Sequence, residues 1–138
     1  MPGMAERGMA LLAEDKPAEA LEWLLPRAQY DPFTQAQLAA AYIELEDWDQ
    51  AKEWAGRSAA EDDVLGHFAL GAVLEELGDD DAAMPHYQFA AEGGESDAMH
   101  AYASLLEKTG SPLLAAHWFE EAAYAADDDD DDEARPGS

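Results

Sequence analysis

Ala20, Ala51, Ala83 and Ala115 follow one another at steps of 31, 32 and 32 residues, and each has the same company around it. Nine residues before each alanine stands Leu11, Tyr42, Leu74 or Leu106, and three residues earlier Gly8, Ala39, Gly71 or Ala103. Eight residues after it stands Ala28, Ala59, Ala91 or Ala123. A period of this length marks supersecondary units too small to bury an apolar face alone, which must stack on their neighbours to form a continuous core. The architecture is therefore constrained far more tightly than the function. Stacked helix pairs form a binding surface without naming what binds.

The apolar period and the helix breakers predict eight helices in four antiparallel pairs, near residues 4–13, 17–29, 33–45, 48–60, 64–77, 80–92, 96–109 and 112–126. Gly78 and Gly110 close the first helix of the third and fourth pairs, where glycine supplies a left-handed cap without a side-chain clash. Ser111-Pro112 and Lys16-Pro17 restart the chain with proline at the first helical position. Asp79, Asp80 and Asp81 open the sixth helix, where carboxylates suit the positive end of the helix dipole. Pro85 lies near enough to that end to be tolerated, whereas Pro26 is expected to kink or end the second helix. No segment alternates apolar and polar residues as a strand would. The expected organisation is a helical-repeat domain over residues 1–126, with repeats at about 4–32, 33–63, 64–95 and 96–126. An acidic disordered tail over 127–138 follows it.

Charge is the extreme statistic, with 7 basic against 32 acidic residues and a net charge of −25. Removing the seven acids Asp127 to Glu133 and Arg135 leaves 25 acidic and 6 basic residues, so the acidity belongs to the repeats as well as to the tail. Such a field repels nucleic acid and anionic membrane and attracts cationic partners. It is equally the composition of a salt-adapted or simply very soluble protein. There is no cysteine, hence no disulfide and no thiolate metal site, and no apolar run approaches the length of a membrane helix. A soluble, cytoplasmic protein is expected.

The spacing of small residue, Leu or Tyr, Ala and second Ala resembles the tetratricopeptide repeat, and Asp31-Pro32 stands at that family's proline position. Three residues after the key alanines come Trp23, Trp54, His86 and Trp118, followed by Leu24, Ala55, Tyr87 and Phe119, which is similar to the Sel1-like relatives of that family. The resemblance covers residues 4 to 126. It departs in two respects, since the units are two or three residues shorter than a tetratricopeptide and lack the long internal loop of Sel1-like units. It implies an all-α fold, an α-solenoid of four antiparallel helix pairs, with the first helix of each pair lining a concave face. Transferred onto this chain, the groove positions include Met9, Leu12, Phe33, Ile43, Glu44, Leu65, Phe68, Glu75, Glu76, His100 and Glu107. The lysine and asparagine set with which some members clamp a C-terminal carboxylate is replaced by Ala5, Met9, Ala36 and Ala40, so acidic chaperone tails are disfavoured as ligands.

Chemistry finds no kit in the chain. His67, His86, His100 and His117 form no ligand motif, His86 occupies a slot that is tryptophan in the sister repeats, and no glycine-rich phosphate loop or activated serine is visible. No catalytic residue, metal or cofactor is expected, and the chain is read as a non-enzyme. Trp23, Trp54 and Trp118 recur in register as core residues, while Trp48 is open to a role as a binding anchor. The resulting expectation is a protein-binding adaptor or scaffold whose groove takes an apolar or basic protein segment, as a monomer or weak homo-oligomer. It has no direct contact with nucleic acid or membrane. Two alternatives stand beside it: an acidic decoy that blocks a basic nucleic-acid-binding protein surface, and a structural protein that self-associates through its last helix pair.

Overall fold

The computed structural model describes residues 10–12, 14, 16–29 and 31–130, with only the backbone of 127–130. Beyond a helical stub at 10–12, seven helices follow: α1 (Pro17–Ala28), α2 (Pro32–Glu44), α3 (Trp48–Ala60), α4 (Val64–Glu76), α5 (Asp80–Glu92), α6 (Ser96–Lys108) and α7 (Pro112–Asp130). No strand occurs among the described residues.

From α2 onward each helix starts 16 residues after the previous one, and the turns explain why. The residues at 46, 62, 78, 94 and 110 all have positive φ: Glu46 59°, Asp62 56°, Gly78 86°, Gly94 94° and Gly110 93°. At each turn this left-handed residue donates its N–H back to the carbonyl three residues earlier. The next residue reaches back five, as in Glu46 to Ile43 (3.0 Å) with Asp47 to Tyr42 (2.9 Å), or Gly78 to Glu75 (2.9 Å) with Asp79 to Leu74 (2.9 Å). This is the double closure that satisfies the last carbonyls of a helix. At the first four of these turns the residue after the left-handed one then caps the next helix. Asp47, Asp63, Asp79 and Glu95 accept backbone N–H groups from Gln50, Gly66, Ala82 and Asp97, as Asp31 does from Phe33 at the start of α2. Five acidic residues are thus placed by the need to satisfy free N–H groups at helix starts.

The chain divides into two compact units, Met1–His86 and Tyr87–Ser138, the boundary falling within α5. In the first, α2 packs on α3, α3 on α4, and α2 directly on α4, so α2 and α4 lie side by side against α3. One core cluster joins Leu11, Ala20, Leu24, Ala28 and Leu38, with Trp23 and Trp54 half-buried against it; a second joins Ala39, Ala55 and Ala69. The key alanines Ala20, Ala51 and Ala83 are fully buried, as the repeat requires. Gly66 marks the closest approach in this unit: a Cβ there would lie 2.3 Å from Ser58 Oγ and 2.8 Å from the Ala59 backbone nitrogen. In the second unit α6 packs on α7, burying Ala98, Ala103, Leu105, Leu106 and Ala115, with the Tyr102 and Trp118 rings edge to face at 5.7 Å.

Two expectations need correction. Helix α1 continues past Pro26 to Ala28: the proline removes one internal hydrogen bond, and the buried Leu24 and Ala28 hold the last turn in place. Pro85, the sixth residue of α5, is tolerated as expected, the helix continuing through it. Helix α7 runs to Asp130, four residues beyond the expected start of the acidic tail; residues 131–138 lie outside the described residues. Ala123, the last of the recurring second alanines, is exposed, whereas Ala28, Ala59 and Ala91 are buried.

Candidate functional site

The first helices of the repeats, α2 and α4, pack on each other, and each packs on α3, which lies between them in sequence. Toward the starts of these helices Phe33, Leu65 and Phe68 are half-buried and keep part of their side chains accessible. Ile43 is half-buried too, but it packs on the Ala39–Ala55–Ala69 cluster and serves the core as much as the surface. Leu12 likewise packs on the first cluster. Met9 lies outside the described residues.

Glu44, Glu75 and Glu76 are exposed and close the C-terminal ends of α2 and α4. That end of a helix is already negative, so a carboxylate there costs a few tenths of a kcal/mol instead of contributing it. The charges of these three add to the two helix dipoles and make one edge of the α2–α4 surface strongly negative. In the second unit Glu107 is exposed near the end of α6, and His100 is exposed with its ring edge to face on Phe119 at 5.2 Å.

Basic side chains in the first unit sit elsewhere. Arg57 stacks over Trp54 at 4.5 Å from the ring centroid and bridges to Glu53 at 2.9 Å, beside an open cleft lined by Asp49, Lys52, Gly56, Ala60 and Leu70. Trp48 is half-buried and lines a shallow cleft with Leu45, Glu46, Asp47, Asp49 and Leu77.

The structure also joins two residues that the sequence reading kept apart. His86, in the tryptophan slot, meets His67 with Nδ1 atoms 3.0 Å apart, and His67 Nε2 lies 3.3 Å from Asp62 Oδ1. The ring centroids are 5.2 Å apart and the rings are tilted by 30°, so one Nδ1 donates and the other accepts. Burial, followed by the charge of His67, holds His86 below the ordinary histidine pKa. Register held the clue, because His67 lies one full repeat after the buried Gln35 and one before the buried Met99. Among the described residues no group of three or more His, Asp or Glu is placed to hold a metal ion. Nor is any described helix long and apolar enough to cross a membrane.

No family model matches the chain, and no curated protein matches it in sequence. Solved structures do match. Two crystal structures of MamA superpose with TM-scores of 0.70 and 0.68 at 19% identity each, covering 91% and 96% of this chain and 78% and 76% of theirs. A MamA structure from AMB-1 gives 0.61 at 21% identity, over 90% of this chain and 72% of that one. The likeness is one of fold. Over its described residues this chain is all-helical and shares the tetratricopeptide-like solenoid fold of MamA. No match bears on the Sel1-like part of the resemblance.

Proposed function

We propose that this chain is a non-enzymatic protein-interaction module, an adaptor or scaffold whose first-helix surface takes a basic or apolar segment of a partner protein. The observation that carries this reading is that α2 and α4, packed on each other, both carry partly accessible apolar side chains toward their starts, Phe33, Leu65 and Phe68, and exposed carboxylates at their ends, Glu44, Glu75 and Glu76. Apolar contact supplies affinity, and the carboxylates steer and orient a cationic segment. Glu107 and His100 extend the same positions into the last repeat. The tetratricopeptide-like fold supports a role in binding proteins without selecting the ligand.

The test is affinity capture from native lysate at low and physiological salt, comparing the wild type with a Glu44→Lys/Glu75→Lys/Glu76→Lys variant. These positions are exposed, so the variant keeps the wild-type melting profile, and the partner set recovered at low salt should disappear. Recovery of the same partners by the variant would remove the electrostatic half of the reading. Recovery by a Phe68→Ser variant as well would remove the surface altogether.

A further inference from the structure

We infer that the turn edge around Trp48 is a docking surface of its own, which takes a short segment of a partner protein carrying an apolar anchor beside lysine or arginine. Leu45 and Leu77, 42% and 51% exposed, stand one full repeat apart at the C-terminal caps of α2 and α4. Both line the shallow cleft that the half-buried Trp48 also lines. A single exposed leucine needs no explanation, but two leucines and an indole on one cleft make a contiguous apolar patch. Helix α3 already has its repeat neighbours α2 and α4 packed against it, so the cleft is not an open end of the stack.

Neither the turns nor the helix starts require these residues. Thr109 holds the same cap position as Leu45 and Leu77, and its hydroxyl donates to the Leu105 carbonyl at 2.8 Å, so the cap is served without a large apolar group. Trp48 is the first residue of α3, whereas the sister helices α1, α5 and α7 begin with Pro17, Asp80 and Pro112, types that suit a helix start. Glu46 keeps a side chain at a φ of 59°, where Gly78 and Gly110 avoid the conformational cost. Asp62, the other side chain in this conformation, lies against His67. Glu46 has no side-chain partner among the described residues and lines the cleft.

Charge selects the occupant. Glu46, Asp47 and Asp49 surround the leucines and the indole, and none of the lining residues is basic. A second copy docking by this same face would set those three carboxylates against their own counterparts. Nucleic acid and anionic bilayers meet the same repulsion. A cationic segment with one aliphatic or aromatic side chain satisfies both the apolar cleft and the field. Phe33, Leu65 and Phe68 lie toward the other ends of α2 and α4, so this inference stands apart from the reading of that face.

The experiment titrates the full chain into a dye-labelled short peptide of one leucine flanked by lysines, read by fluorescence anisotropy at low salt. One twin has glycine in place of the leucine, and another has glutamate in place of the lysines. The parent peptide should bind and each twin should bind about tenfold more weakly or not at all. No binding of the parent peptide at millimolar protein would overturn the inference. Leu77→Ser should weaken binding about tenfold. Glu46→Gly should fold more stably than wild type yet bind severalfold more weakly, which keeps the test independent of folding. Glu22→Gln, which removes one charge from an exposed position on α1, should bind as wild type. Undiminished binding to Leu77→Ser, or equal binding to Glu46→Gly and Glu22→Gln, would overturn the inference, because generic charge attraction alone gives both results. Loss of binding in Phe68→Ser with retention in Leu77→Ser would assign the peptide to the α2–α4 face and also overturn it. So would sedimentation showing that the wild type self-associates and Leu77→Ser does not, which would give the cleft to a second copy.

Discussion

Replacing Gly66 by alanine sets two known effects against each other. Helix propensity favours alanine by about 1 kcal/mol in a helix interior. Against it, the new Cβ would sit 2.3 Å from Ser58 Oγ, 2.6 Å from Ser58 Cβ and 2.8 Å from the Ala59 nitrogen. Ser58 is fully buried and donates to the Pro32 carbonyl at 2.7 Å, so rotating it away would strand its hydroxyl, and the Ala59 nitrogen is backbone. Overpacking of this kind costs about 1–3 kcal/mol, and with no flexible tip to yield, the upper part of that range applies. The net expectation is a loss of about 2 kcal/mol, or roughly 4–8 °C in Tm for a chain of this size. Thermal and urea denaturation followed by circular dichroism measure it, with an unchanged m-value confirming that only stability moved. In a Ser58→Gly background two of the three close contacts vanish, so the Gly66→Ala penalty should fall by at least half. A Gly66→Ala protein as stable as wild type would refute the close packing of α3 on α4.

The turn geometry predicts opposite outcomes at equivalent positions: Glu46→Gly should stabilise by about 0.5–1 kcal/mol by relieving a left-handed side chain, and Gly78→Ala should destabilise by about 1 kcal/mol, both read by urea midpoints. Asp63→Ala removes the acceptor for Gly66 N–H and should cost about 1–2 kcal/mol, whereas Leu113→Asp should leave the melt unchanged. Because His86 is held below the ordinary histidine pKa, the unfolded chain takes up its proton first. Its contribution to stability is complete above about pH 6.5 and declines as pH falls toward the folded-state value. A pH series of urea midpoints should lose that part of its slope in His86→Phe, and an identical slope would contradict the histidine contact.

Helix positions were legible because the alanine spacing is a packing constraint, and small residues at Ala39 and Ala51 mean the same thing in every unit. Gly78 and Gly110 were readable as stops because glycine advertises a left-handed turn. Glu46 and Asp62 adopt the same conformation silently, since ordinary local preference disfavours it and only the five-fold recurrence of the turn reveals it. Pro26 misled because a proline removes only one internal hydrogen bond, and burial of Leu24 and Ala28 on either side of it offsets that loss. The meeting of His67 and His86 arises between helices 19 residues apart in sequence, and was visible only by asking which positions face the tryptophan slot. Exposure was the least legible property of all. Ala123 reads like Ala28, Ala59 and Ala91, yet it is exposed where they are buried.

The constant stride from one cap to the next has a consequence for how such a chain can change over time. A duplication or deletion of two strides returns every later residue to its old orientation, so whole hairpins can be gained or lost without redesigning their neighbours. An insertion of any other length inside a helix would rotate everything downstream out of phase. Length variation among descendants of this sequence should therefore come in hairpin-sized quanta, with odd-sized additions confined to the turns around Glu46, Asp62, Gly78, Gly94 and Gly110.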